Sequence, residues 1–155
     1  DNLLETAPAK ATAAGNYFVS TGTNQIAERT PVGATILTSQ NNLITGSFSD
    51  LATVGPTVTV TTGSRALVLY QCNVQHTVDF PVSAVSFDIS GATTLVGNNF
   101  DRSAQVDGIP LGNKMTVNGT NFVALNPGVN TFKMTYFTTL NTCSFERRML
   151  TVIPF

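Results

Sequence analysis

Residues 56–74 read Pro56-Thr57-Val58-Thr59-Val60-Thr61-Thr62-Gly63-Ser64-Arg65-Ala66-Leu67-Val68-Leu69-Tyr70-Gln71-Cys72-Asn73-Val74. Thr57 to Thr61 alternates threonine and valine with period 2, the pattern of a half-buried antiparallel strand. Thr62-Gly63-Ser64 is a turn signal. Ala66 to Val74 is a near-continuous apolar run, expected to be a central strand. Two strands joined by a tight turn set the fold class, and the flanking sequence repeats the theme. Ser83 to Ser90 alternates Ala84, Ser86 and Asp88 against Val85, Phe87 and Ile89, which places the second set on a core face. Asn130 to Thr138 alternates Phe132, Met134 and Tyr136 against Lys133, Thr135 and Phe137. Lys114 to Val117 and Thr120 to Leu125 flank Asn118-Gly119, a hairpin signal. Cys143 to Ile153 reads as a closing strand after a turn at 140–142. Residues 92–113 are rich in Gly, Asn, Asp and Pro and read mainly as connection.

Upstream, Thr35 to Ser39 and Leu43 to Phe48 are short strand candidates, with a turn at Asn41-Asn42. Asn16 to Ser20, a turn at 21–24 and Gln25 to Thr30 read as a small hairpin that Pro31 to Gly33 ends. Residues 1–14 show no period and read as an extended arm. A lone two-stranded hairpin is marginal in water, so this one must pack on the main domain, a sister subunit or a partner. The expectation is an all-β chain. An N-terminal arm and hairpin at 1–34 precede an antiparallel β-sandwich or jelly roll at 35–155.

Composition agrees. The 155 residues include 24 Thr and 14 Asn, while charged residues make up only 11%. Thr suits a pleated surface and Asn suits turns. Lys-, Glu- and Ala-rich runs are nearly absent, which excludes a helical bundle or coiled coil. Eight basic against nine acidic residues give a net charge of -1. The basic residues are scattered except for Arg147-Arg148, so no nucleic-acid footprint is read. No apolar run approaches a membrane span, and no signal peptide is read at the start.

The chemistry-bearing residues are few. His76 is the single histidine and lies near Asp79 in sequence. A His–carboxylate pair suits acid–base chemistry, but no nucleophile motif accompanies it, and a loop or edge histidine is the reading. No catalytic residue, metal ligand set or cofactor is assigned. Cys72 and Cys143 fall on expected strands and are read as free, buried thiols with no disulfide. Asp101, Asp107 and Asn98-Asn99 match no calcium-loop spacing and are read as solvated loop groups. Asn118-Gly119-Thr120 is formally a glycosylation acceptor and is read as the turn itself. In the last strand, Arg147 and Arg148 should face opposite ways. The inward one needs a carboxylate, for which Glu28, Asp50 and Asp88 are the candidates. Phe80, Phe87, Phe132, Tyr136 and Phe145 sit at strand spacing and belong to the core. Tyr17, Phe18 and Phe155 lie at the two ends of the chain. With Ile26, Glu28, Arg29, Arg147 and Arg148 they form the expected subunit interface.

The segments GNYFVSTGTNQIAERTPVGA, FSDLATVGPTVTVTTGSRALVLYQC, AVSFDISGATT, LNPGVNTFKMTYFTT and the terminal SFERRMLTVIPF resemble a module of tailed-bacteriophage virion proteins. These are head-decoration (cement) proteins, some from viruses of cyanobacteria, and distal domains of tail or head fibres. The likeness covers roughly residues 11–155 and carries no catalytic signature. It implies a trimeric jelly roll whose N-terminal arms cross between subunits. Three function classes follow. The first is a capsid cement on the outer surface of a virion, a homotrimer clamping the major capsid protein without nucleic acid or membrane. The second is a fibre domain binding a host carbohydrate, for which exposed aromatics in 92–113 would speak. The third is a hydrolase, which no paired carboxylates support. The chain is short for a fibre subunit, and the expectation is cement and not an enzyme.

Overall fold

Polar–apolar alternation along each strand is resolved by packing two sheets face to face. The computed structural model describes residues 12–41, 46–77, 81–96, 100–139 and 143–155. Expectations for residues 1–11, Leu43, Asp79, Phe80, Asn98, Asn99 and the turn at 140–142 lie outside the described residues.

The strands are β1 (Tyr17–Gly22), β2 (Gln25–Arg29), β3 (Val32–Ile36), β4 (Gln40–Asn41), β5 (Thr57–Thr62), β6 (Arg65–His76), β7 (Ser83–Gly91), β8 (Ala104–Val106), β9 (Lys114–Ala124), β10 (Gly128–Thr138) and β11 (Cys143–Pro154). One sheet runs β5-β10-β7-β8. The other runs β3-β11-β6-β9, with β4 also pairing β11. All pairings are antiparallel. Between the sheets lie Val68, Tyr70, Val74, Phe87, Ile89, Phe132, Met134, Tyr136, Phe145 and Leu150, all buried. The all-β sandwich is therefore as the alternation requires.

β1 and β2 form the expected hairpin, turning through Thr23 and Asn24, the latter at φ 57°. β3 begins at Val32 and pairs with β11, so it runs across the boundary drawn at residue 34. Asn41, read as a turn residue, instead ends β4 against Ser144. The stretch 92–113 contains a 3-10 turn at Phe100–Arg102 as well as β8.

The hairpin expected at 118–119 is overturned. Asn118-Gly119 is not a hairpin turn, because β9 runs unbroken through it and Gly119 lies opposite Tyr70 of β6. The Tyr70 side chain fills the space a Gly119 side chain would need. A Cβ there would stand 2.2 Å from the Tyr70 ring and hydroxyl. The glycine answers a close approach, not a turn.

Candidate interaction surface

The outward residues of the larger sheet align in cross-strand rows. Ile153, Leu67 and Phe122 form one row, Thr151, Leu69 and Thr120 the next, and Met149, Gln71 and Asn118 the third. This face is apolar and neutral-polar. Phe122 is 58% exposed and Met149 41%. A shallow depression of about 290 Å³ lies on it, lined by Leu69, Gln71, Asn118, Thr120, Met149 and Thr151 among others. Charge is confined to its two ends. At one end Lys114 donates to Glu146 at 2.7 Å and the exposed Arg147 follows it on β11; the Lys114 bond, helped by Arg147, holds the Glu146 carboxyl below the usual range. At the other, the Arg65 guanidinium lies 5.7 Å from the Phe122 ring centre.

The hairpin β1-β2 joins this face at the Phe122 end. The Tyr17 hydroxyl donates to the Pro154 carbonyl. The Tyr17 and Phe155 rings meet edge-on at 6.4 Å, and Phe155 meets Phe122 at 5.6 Å. Burial raises the Tyr17 phenol pKa, partly offset by Arg29. The hairpin register puts Tyr17, Val19, Ala27 and Arg29 on one face and Phe18, Ser20, Ile26 and Glu28 on the other. Phe18 and Ile26 are exposed. Glu28 accepts hydrogen bonds from Asn16 Nδ2 at 2.8 Å and from the Thr12 backbone N–H and hydroxyl, which lower its pKa. Thus Tyr17 and Phe155 are brought together on their own chain. Phe18 and Ile26 point away from that contact.

Arg148 departs from the interface expectation, while Arg147 stays exposed. Both residues lie opposite Cys72, since the register jumps from Glu146↔Asn73 to Met149↔Gln71. This bulge, with Arg147 at φ 50°, shifts the alternation by one residue. Arg147 is exposed and Arg148 is fully buried, so Arg148 belongs to its own core and to no interface. Its guanidinium lies 5.7 Å from the Tyr136 ring centre. It donates to Gln40 Oε1 and the Thr38 carbonyl, both at 3.3 Å. The expected carboxylate partner is absent among the described residues. Asp50 instead pairs with Lys133 at 2.8 Å. Its neutral acceptors are the side chain of Gln40, the first residue of β4, and the carbonyl of Thr38 just before that strand.

Of the remaining candidates, His76 and the two cysteines are interior. His76 is fully buried, with Nε2 3.1 Å from Ser83 Oγ, and Ser83 Oγ donates to Cys143 Sγ at 2.9 Å. Thr138 Oγ1 also donates to Cys143. Burial lowers the His76 pKa, with the Ile109 backbone and Asp107 pulling the other way. Cys72 and Cys143 are both buried free thiols, and burial pushes Cys72 up to about 12. Asp101 lies in the 3-10 turn, and no group of three or more His, Cys, Asp or Glu among the described residues is placed to hold a metal ion. Phe100 packs edge-on against Phe48 and Phe137 at 5.0 and 4.9 Å. The aromatic of the 92–113 stretch thus lies against the four-stranded sheet while staying 43% exposed.

The apolar outer face was missed in the sequence because Ala66 to Val74 reads as apolar throughout. Its signal is the outward series Leu67, Leu69, Gln71, Asn73 and Gln75, which turns polar halfway along the strand.

No protein-family model matches the chain, and no curated protein sequence matches it significantly. Solved structures do. VP2 of an infectious bursal disease virus subviral particle superposes with a TM-score of 0.51 at 12% identity, over 86% of this chain and 36% of VP2. A chain of the T13 particle of the same virus gives 0.50 at 14% identity, over 86% of this chain and 34% of its own length. The Eiger TNF of S. frugiperda gives 0.52 at 11% identity, over 81% of this chain and 92% of its own. The chain spans about a third of the length of the viral proteins it matches. What it shares with all three is the fold, a jelly-roll β-sandwich.

Proposed function

We propose that this chain is a structural protein of a tailed-phage virion. In this reading it sits as a homotrimer on the outer capsid surface and clamps neighbouring copies of the major capsid protein. It works by buried area and not by chemistry, and needs no cofactor, nucleic acid or membrane. The observation that carries the reading is the broad, nearly uncharged outer face of the larger sheet, continuous with the hairpin and Phe155. Such a face is suited to a repeated neutral contact, with aromatic anchors at its edge. The fold likeness to a viral capsid protein and the sequence resemblance to decoration proteins support it.

Cryo-electron microscopy of the virions tests the proposal. Density for this chain over joints between capsid subunits, at threefold or local threefold positions, is the expected result. Finding it only at the distal end of a fibre, or nowhere in the particle, would overturn the proposal.

A further inference from the structure

The four sheet ends of the sandwich are unequal. Three are closed by short strands: β3 with 5 residues, β5 with 6 and β8 with 3. The fourth is β9, with 11 residues and no bulge against β6. Its outer edge carries no backbone partner among the described residues. The polarity of that edge follows from one bond. Leu125 N–H donates to the Ser64 carbonyl at 2.8 Å, in the same register that pairs Arg65 with Ala124. Bonded and non-bonded pairs alternate in an antiparallel ladder, so Val117, Gly119, Asn121 and Val123 bond to β6. Thr116, Asn118, Thr120 and Phe122 therefore aim their N–H and C=O groups outward. All four are exposed.

Edge strands of stable monomers are normally blunted by charge, proline, bulges or brevity. From Met115 to Ala124 the strand has no charged residue and no proline. The geometry points to β9 as a pairing edge for a second copy of this chain, joined antiparallel about a twofold axis at Gly119. An edge run antiparallel to itself matches its own donors and acceptors. This register sets Asn118 against the second copy's Thr120 and Thr116 against the second copy's Phe122, an aromatic–β-branched pair. It also sets Lys114, the single charge of the strand, against Ala124. A parallel partner would place the two lysines side by side. The pairing would extend the apolar outer face from one copy to the next. It is a twofold contact, separate from the threefold one of the function proposed above, so it ties one assembly to its neighbour.

The test is sedimentation velocity of the full chain over a dilution series, with amide exchange followed by NMR. A species of twice the mass of the smallest assembly is expected, whether that assembly is a trimer or a monomer. Thr120→Pro removes an edge N–H without touching the ladder to β6. It should reduce the chain to the smallest assembly with an unchanged circular dichroism spectrum. The double variant Thr116→Lys and Thr120→Lys should do the same by charge, and serves if the proline variant misfolds. In either, the outward amides left unsubstituted, those of Asn118 and Phe122, should exchange at least about tenfold faster, with those of Val117 and Asn121 unchanged. A chain that never doubles, or a doubled mass that survives a folded variant, would overturn the inference. A trimer that persists in the variants leaves the threefold reading untouched.

Discussion

Arg148 is the most costly residue in the core to bury. Its guanidinium has neutral acceptors at 3.3 Å, a tyrosine face at 5.7 Å, and a buried Nε with no hydrogen-bond partner among the described residues. A buried charge held this way contributes little net stability relative to an apolar side chain of its size. Arg148→Met should therefore be neutral or stabilising by up to about 2 kcal/mol. Arg148→Ala should lose about 2–4 kcal/mol through the cavity it leaves. Urea denaturation of both variants measures the contrast. His76 supplies the pH dependence. Its folded pKa lies below the ordinary 6.5, so below pH 6.5 the unfolded chain binds more protons than the folded one. The His76 contribution is fully present above pH 6.5 and is lost as pH falls through the folded value. Urea midpoints at pH 7.5, 6.5 and 5.5 should fall in that order. His76→Gln should flatten the series, because the carboxylates titrate lower.

At the scale of elements, β9 shows how local signals and packing compete. Asn-Gly is the strongest two-residue hairpin signal, yet here it lies in mid-strand. Eleven successive pairings with β6, together with the Tyr70 ring laid over the glycine, outweigh a turn preference worth far less. Gly119→Ala should cost about 1–3 kcal/mol by overpacking against Tyr70. In a Tyr70→Ala background the same change should cost less than about 0.5 kcal/mol, as the clash has gone. A double-mutant cycle in urea gives the coupling. The bulge in β11 is the second case. One extra residue opposite Cys72 decides which of two adjacent arginines is buried, and nothing in Glu146-Arg147-Arg148-Met149 marks its position.

At the scale of the whole molecule, the last strand of the chain is central in its sheet. β11 lies between β3 and β6, and β4 also pairs with it. Residues 143–154 thus join strands that begin at residues 32 and 65, and loop closure over such separations makes folding slow, on the order of milliseconds to seconds. Ending the chain at residue 142 should abolish the folded state, because β3 and β6 would be left unpaired on that side. Near-ultraviolet circular dichroism, which reports the packed aromatics, should lose its signal completely.

The sequence by itself determined the architecture. Period-2 alternation in Thr57 to Thr61, Ser83 to Ser90 and Asn130 to Thr138 predicts strands with one face buried that pack as a sandwich, although over residues 83–87 and 134–138 the structure buries the second face as well. The aromatic core at Phe87, Phe132, Tyr136 and Phe145 follows from the same periodicity. Register was beyond it. Which arginine turns inward, whether Gly119 turns or extends, and which apolar residues remain on the outer face all depend on partners distant in the chain. Tyr70 meets Gly119 and Cys72 meets the bulge only once the strands are aligned. A shift of one residue in pairing exchanges the two faces of a strand, so the tertiary structure alone decided what the interaction surface is made of.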